Sequence, residues 1–210
     1  VSAIITSVRV DINDPAFQKP TKPIGKWYSK KEIEQVNQDN KWDLLEHPTK
    51  GFRRVVASPK PLEIIQIDLI KQLIENKQII ITAGGGGIPV ISQPNNGLVG
   101  CEVVIDKDRT SSLLAQNINA PKLVIITSVD QVSLDFGKPS QRTIKKLNAS
   151  QAQKYLDEGQ FPPGSMGPKI EAAIEFVKLS KHPNAEVVIC SMLNLLPAVK
   201  GKSGTSITLE

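Results

Sequence analysis

The residues of this sequence that could do chemistry are lysines placed beside carboxylates, prolines and glycines, and the chemistry they suit is the handling of phosphate. Ile105-Asp106-Lys107-Asp108 sets two acids around one lysine at the start of a helical pattern. Carboxylates at such a place are favoured simply as caps. The same pair could also orient an ammonium toward a transferring phosphoryl group. At about 4 Å and an effective dielectric near 20 each charge pair is worth roughly 4 kcal/mol, which matters in a reaction governed by positioning and electrostatics. Phe161-Pro162-Pro163-Gly164-Ser165-Met166-Gly167-Pro168-Lys169 puts a rigid, glycine-broken loop before a helix whose first turn carries Lys169. That junction suits an anion; the alternative is a surface lysine on an amphipathic helix.

The run Ala83-Gly84-Gly85-Gly86-Gly87-Ile88-Pro89 directly follows an apolar strand pattern. Backbone amides without side chains can approach a phosphate there, beyond the carboxyl end of a strand, although a tight turn would use the same residues. The run is not a dinucleotide fingerprint, because Val90 stands where the third glycine belongs. Gly201-Lys202-Ser203 imitates the end of a P-loop, but Leu196 occupies the position of its first glycine. Lys22 lies between Pro20 and Pro23, and by itself reads as a solvated lysine in a rigid turn. His47 and His182 have no partner at metal or triad spacing and read as surface residues; no metal ligand set and no nucleophile–base pair emerges.

The elements that must position these groups alternate between helix and strand. Ser2–Val8 reads as a buried strand. Leu62, Ile65, Leu69 and Leu73 follow at helical spacing, then a strand over Gln78–Thr82. A helix is predicted over Asp108–Ile118, a strand over Lys122–Thr127, a helix over Pro168–Leu179, and strands over Glu186–Cys190 and Thr205–Leu209. This alternation of helices with short β-branched runs predicts an α/β fold whose mainly parallel central sheet is covered on both faces, a three-layer sandwich. The stretch from about Asp11 to Pro61 differs in composition. It is rich in proline, lysine and asparagine, holds Trp27 and Trp42, and shows only one short helical candidate, Ser29–Asn37. It reads as an inserted lobe, a flap or lid.

Composition narrows the function. With 210 residues, 40% of them hydrophobic and 22% charged, the chain can bury a substantial core. Two distant cysteines suggest neither a disulfide framework nor a zinc site, and fit a reducing cytoplasm. No apolar run reaches membrane-spanning length. The net charge of +5 comes with only 4% aromatic residues and no basic stripe interleaved with them, which argues against nucleic acid.

Taken in order, Pro20-Thr21-Lys22-Pro23-Ile24-Gly25, Ser58-Pro59-Lys60-Pro61, Gly84 to Pro89, Val104 to Asp108, Thr127 to Asp130, Gly137-Lys138-Pro139 and Pro163 to Lys169 closely resemble the carbamate kinases, over essentially the whole chain. The resemblance implies an amino-acid-kinase fold with a core strand over residues 1–9, a protruding subdomain over 10–61 and a nucleotide-binding region over 62–210. It implies reversible phosphoryl transfer between carbamoyl phosphate and ADP, giving ATP and carbamate, in arginine catabolism, with ATP or ADP and Mg2+ as cofactors and a cytoplasmic homodimer as the form. Lys22 would then reach from the lobe to the substrate end, Lys107 would contact phosphoryl oxygens, Asp108 would orient the lysines, and Lys169 would sit on the nucleotide phosphates. Gly84, Gly85, Gly86 and Gly87, Asp130, Phe136 and Met166 would bind nucleotide. Phe136 stands where the family commonly has tyrosine, which keeps an apolar face and loses a hydroxyl. Arg109 and Gly167 also depart from the family pattern.

The Gly-Gly-Asn and His-Gly-Asn-Gly loops with which family members begin are not in this sequence. The expectation is therefore a chain that starts partway through the fold. A truncated, non-catalytic remnant that binds nucleotide or a partner chain is the alternative reading.

Overall fold

The computed structural model describes residues 1–94 and 97–210, and every side chain among them except that of Asp39. The first apolar run forms two strands, β1 (Ser2–Ala3) and β2 (Ser7–Val10), rather than one over Ser2–Val8. Thr6 makes the break. Its hydroxyl donates to the Ile4 carbonyl, lies 2.6 Å from the Thr82 hydroxyl and accepts from the Ala83 amide, tying the chain to the start of the glycine run.

The next segment builds β3 (Lys22–Tyr28), α1 (Lys30–Asn40), β4 (Leu44–His47) and β5 (Gly51–Val56), the strands forming an antiparallel sheet in the order β3-β5-β4. α1 begins one residue beyond its cap, Ser29, which forms a reciprocal capping box with Glu32. The three strands gave no apolar alternation because cations stack on the sheet's aromatic rings. Arg53 lies 5.5 Å from the Trp27 ring centre, Arg54 4.7 Å from Trp42 and Lys26 4.8 Å from Tyr28. Lys22 and Pro23 open β3, with Pro20 and Thr21 leading into it, so the lysine stands on a strand and not in a free turn.

The chain returns through β6 (Pro61–Ile64), antiparallel to β2 with Pro61 opposite Val10. α2 (Ile67–Glu75) therefore starts later than the helical spacing suggests: Leu62 lies in β6 and Ile65 in the turn after it. β7 (Ile80–Ile81) pairs parallel with β1 and is shorter than the apolar run that contains it. After the glycines come β8 (Ile88–Ser92), parallel to β2, and β9 (Leu98–Gly100), giving the order β6-β2-β8-β9.

The second half runs α3 (Lys107–Asn117), β10 (Lys122–Thr127), β11 (Val132–Leu134), β12 (Arg142–Ile144), β13 (Lys146–Asn148) and α4 (Ala149–Asp157). It ends with α5 (Met166–Leu179), β14 (Glu186–Ser191), α6 (Leu195–Val199) and β15 (Thr205–Thr208). β10 and β14 pair in parallel from Lys122 opposite Glu186 to Thr127 opposite Ser191, within a sheet ordered β10-β14-β15-β13. β13 and β15 are also parallel, whereas β15 runs antiparallel to β14.

Side chains alternate across this sheet, as strand geometry requires. Ile125, Val187, Ile189 and Ile207 pack with Ala152 of α4 and Ile170, Ala173 and Phe176 of α5, while Val188 and Cys190 meet Ala198 of α6 on the other face. Helices thus cover both faces. A second cluster joins Val8, Val10, Ile64, Ile70 and Ile105 to Leu113 and Leu114 of α3. Each large aliphatic or aromatic side chain fully buried in these clusters contributes about 1.5–3 kcal/mol, so α3 and α5 are held firmly at the ends that carry polar groups.

Candidate active site

Asp106 ends the approach to α3 and caps it: its Oδ1 accepts the amides of Asp108 at 2.9 Å and Arg109 at 3.4 Å. The capping interpretation of this acid is therefore correct, and incomplete. Its Oδ2 accepts a hydrogen bond from the ammonium of Lys22, at the start of β3. Two residues on, the Asp108 side chain does something different. Its Oδ2 accepts from Lys169 Nζ at 2.8 Å, one turn into α5, and from Lys107 Nζ at 3.3 Å. Three lysines from three separate elements thus converge on two carboxylates whose side chains are only 7% and 9% exposed.

Three ammonium groups against two carboxylates leave one positive charge in excess, enough to favour an arriving anion. Burial pushes the Asp106 carboxyl up, but the Lys22 ammonium and the amides of Asp108 and Arg109 outweigh it and hold the group below its ordinary value. Burial works to lower the Lys107 ammonium, and the carboxylates of Asp108 and Asp106 overcome this and raise it. Both groups are therefore charged at neutral pH. Arg109 points elsewhere, pairing with Glu171 at 2.8 Å, and leaves the Lys107 and Asp108 pair undisturbed.

The glycine run lies beside the same end of α3, because the Thr110 hydroxyl donates to the Gly86 carbonyl at 2.9 Å. The four glycines divide by use. A Cβ on Gly86 would stand 2.2 Å from the Ile105 carbonyl oxygen, and one on Gly87 2.4 Å from Val8 Cγ2, both at positive φ. Gly84 and Gly85 face open space. Gly84 and Gly87 border a cleft of about 370 Å³ that is also lined by Ala3, Thr6, Thr82 and Ile88.

A separate cavity of about 250 Å³ is lined by Thr127, Val129, Ser133, Phe136, Phe161 and Met166. It opens where β10 ends, the side of an α/β sheet at which ligands bind. Met166 on its wall and Lys169 in the carboxylate cluster are three residues apart on α5, so one helical face, about 4.5 Å long between them, links the cavity to the lysines. Ser165, at the helix start, makes no side-chain capping bond. Of the nucleotide residues proposed from sequence, Phe136 and Met166 line this cavity and the four glycines do not. Asp130 turns to the end of β14, where hydrogen bonds from Ser191 and Asn194 hold its carboxyl low.

Sequence reasoning did not find the role of Asp106 toward Lys22, since the two lie 84 residues apart and no local pattern connects them. His47 and His182 are half-buried, and His47 packs edge-on against Trp27, 5.5 Å between ring centres. Among the described residues no three His, Cys, Asp or Glu side chains gather as a metal site would need, and no helix is long and apolar enough to cross a membrane.

The amino acid kinase family matches residues 31–191, more than half the chain. This protein belongs to that family. Its curated relatives include the carbamate kinase of Staphylococcus epidermidis, 43% identical over 208 residues, and that of Clostridium perfringens, 44% identical over 207. Each match covers 99% of this chain, which spans 66% and 65% of those two amino acid kinases. Among solved structures, a carbamate kinase from Giardia lamblia bound to AMP-PNP superposes with a TM-score of 0.84 at 38% identity, covering 98% of this chain and 64% of that one. The three-layer α/β architecture is therefore the amino-acid-kinase fold, and the chain is kinase-like in its family and carbamate-kinase-like in its relatives.

Proposed function

We propose that the chain carries the lysine-rich, nucleotide-binding side of a carbamate kinase, which transfers a phosphoryl group between carbamoyl phosphate and ADP. The observation that carries this reading is the convergence of Lys22, Lys107 and Lys169 on Asp106 and Asp108, in a chain 43% identical to a carbamate kinase over nearly its whole length. In the reaction, the bond from phosphorus to the carbamate oxygen breaks and one to the terminal oxygen of ADP forms, leaving carbamate and ATP. No protein nucleophile is needed, only positioning and neutralisation of charge on the migrating group. Lys169 serves the nucleotide phosphates and Lys107 the transferring phosphoryl oxygens. Asp108 holds both ammonium groups in place, and Lys22 approaches from the lobe at the carbamate end.

Phe136 and Met166 supply apolar walls for the adenine, and Gly84 and Gly85 an unobstructed backbone for phosphate, while Asp130 is held at the end of β14 by Ser191 and Asn194. Magnesium enters as part of the nucleotide substrate: both site carboxylates already hold ammonium groups, so its oxygen ligands would be phosphates and water. Arginine breakdown in the cytoplasm, with flux toward ATP and a homodimer as the working form, completes the reading. The test is calorimetric titration with Mg-ADP beside a coupled assay for ATP formed from carbamoyl phosphate. Saturable binding with ATP formation is expected. Failure to bind Mg-ADP would overturn the proposal, and binding without transfer would reduce it to nucleotide binding.

A further inference from the structure

We propose that Asp106 is a positioning residue that anchors the inserted lobe to the core through Lys22, fixing where that ammonium rests beside the other two lysines. The anchor itself follows from geometry alone; its value for phosphoryl transfer rests on the function proposed above.

Asp106 is suited to be the fixed end of such a contact. One carboxylate oxygen is committed to two backbone amides at the start of α3, and the side chain is 7% exposed, so the second oxygen has a set position. The neighbouring backbone is fixed too, since the Val104 amide donates to the Ala57 carbonyl at 3.1 Å and Ile105 is fully buried. Lys22 is suited to be the movable end. It opens β3, where it is opposite Val56, the last residue of β5, so it stands at the base of the lobe sheet nearest the core. Its side chain remains 30% exposed.

The two aspartates divide the lysines between them. Asp108 binds the two that belong to the core, and Asp106 binds the one that arrives on a different sheet. A cap needs only an uncharged acceptor, and asparagine or serine would serve α3 as well. Capping and the helix dipole favour a carboxylate at this position but do not require its charge. An ammonium that must be drawn from another sheet does, because an ionised partner roughly doubles the strength of a hydrogen bond.

Hydrogen–deuterium exchange of the whole chain separates the alternatives, comparing wild type with Asp106→Asn, Lys22→Met and the double variant. Asp106→Asn retains the cap, and Lys22→Met leaves α3 untouched, so at least one comparison survives any local disruption. Exchange across Lys22–Tyr28 and Gly51–Val56 is expected to quicken by about tenfold in each single variant and no further in the double, while α5 and β14 stay protected. Fluorescence of Trp27 and Trp42, the two tryptophans of the chain and both in the lobe, should shift in the same variants. Unchanged lobe exchange in Asp106→Asn, or effects of the two substitutions that simply add, would overturn the anchor. Titrating the wild type with Mg-ADP is read separately and bears on the function of the site, not on the anchor.

Discussion

Asp108 accepts two ammonium groups with one oxygen, so its negative charge keeps Lys107 and Lys169 close despite their mutual repulsion. Asp108→Asn would leave both positive charges in place and misdirect them. ATP formation is expected to fall by about 100-fold or more, the scale of losing one preorganised contact, with Mg-ADP affinity changed far less; calorimetry beside steady-state kinetics measures both. A large loss of affinity at unchanged turnover would assign Asp108 to direct binding or to the helix instead. At this scale the sequence was informative where chemistry is local. Lys169 in the first turn of a helix and the acids around Lys107 stood out by their spacing, though spacing alone left a surface lysine and a plain cap as alternatives. Lys22 did not stand out: by its neighbours it reads as a solvated lysine between prolines, and only the resemblance to carbamate kinases assigned it to the site.

Among the elements, the glycine run makes the sharpest demand on residue type. Gly86→Ala would force a side chain against the Ile105 carbonyl at φ +114°, and destabilisation of about 1–3 kcal/mol or more is expected in thermal unfolding. Gly84→Ala meets no atom within 4 Å and should change stability by less than about 0.5 kcal/mol. Similar losses at the two positions would mean that the division between packed and open glycines is wrong. α1 offers a test by pH. Hydrogen bonds from the Ser29 hydroxyl and amide, aided by Lys26, lower the Glu32 carboxyl from 4.5 to about 2. A carboxyl lowered on folding contributes stability above its unfolded value and loses it as pH falls through its folded one. Amide protection in the first turn of α1 should hold from neutral pH down to about 4.5 and decay toward pH 2, and Glu32→Gln should flatten that profile.

The same elements show what sequence can and cannot reveal. α1, α3 and α5 were found within a few residues because caps and helical periodicity are written locally, in Ser29 and Glu32 or in Asp106. β3, β4 and β5 were missed because Trp27, Tyr28 and Trp42 lie under cations in place of an apolar face. The helical spacing at Leu62 and Ile65 misled for a related reason. Four apolar residues at intervals of three and four also fit a strand that runs through a turn into a helix.

Seen whole, the protein has an apolar margin along and beside β1 and β7, where Ile5 is 81%, Ile79 69% and Ile81 61% exposed. Exposed strands of this kind recruit further chains. Concentration-dependent association is expected in sedimentation velocity, reduced by Ile79→Lys; association indifferent to that change would place the contact elsewhere.

At the other end of β2, Val10 faces Pro61 across the ladder with β6, and the Asp14 carboxylate accepts the Lys60 amide at 2.9 Å just beyond. Everything from residue 11 to 60 is thus, in connectivity, the turn of a β-hairpin. Closing a slack turn of that length instead of a two-residue one would cost about 3 kcal/mol of chain entropy, and a turn that folds by itself with its ends side by side avoids most of that cost. Replacing residues 11–60 with Asn-Gly should therefore leave a core that still unfolds in one transition and still binds Mg-ADP at the Phe136 and Met166 cavity. Such a minimal protein would test the division of labour proposed above, in which the core binds the nucleotide and the lobe delivers the Lys22 ammonium.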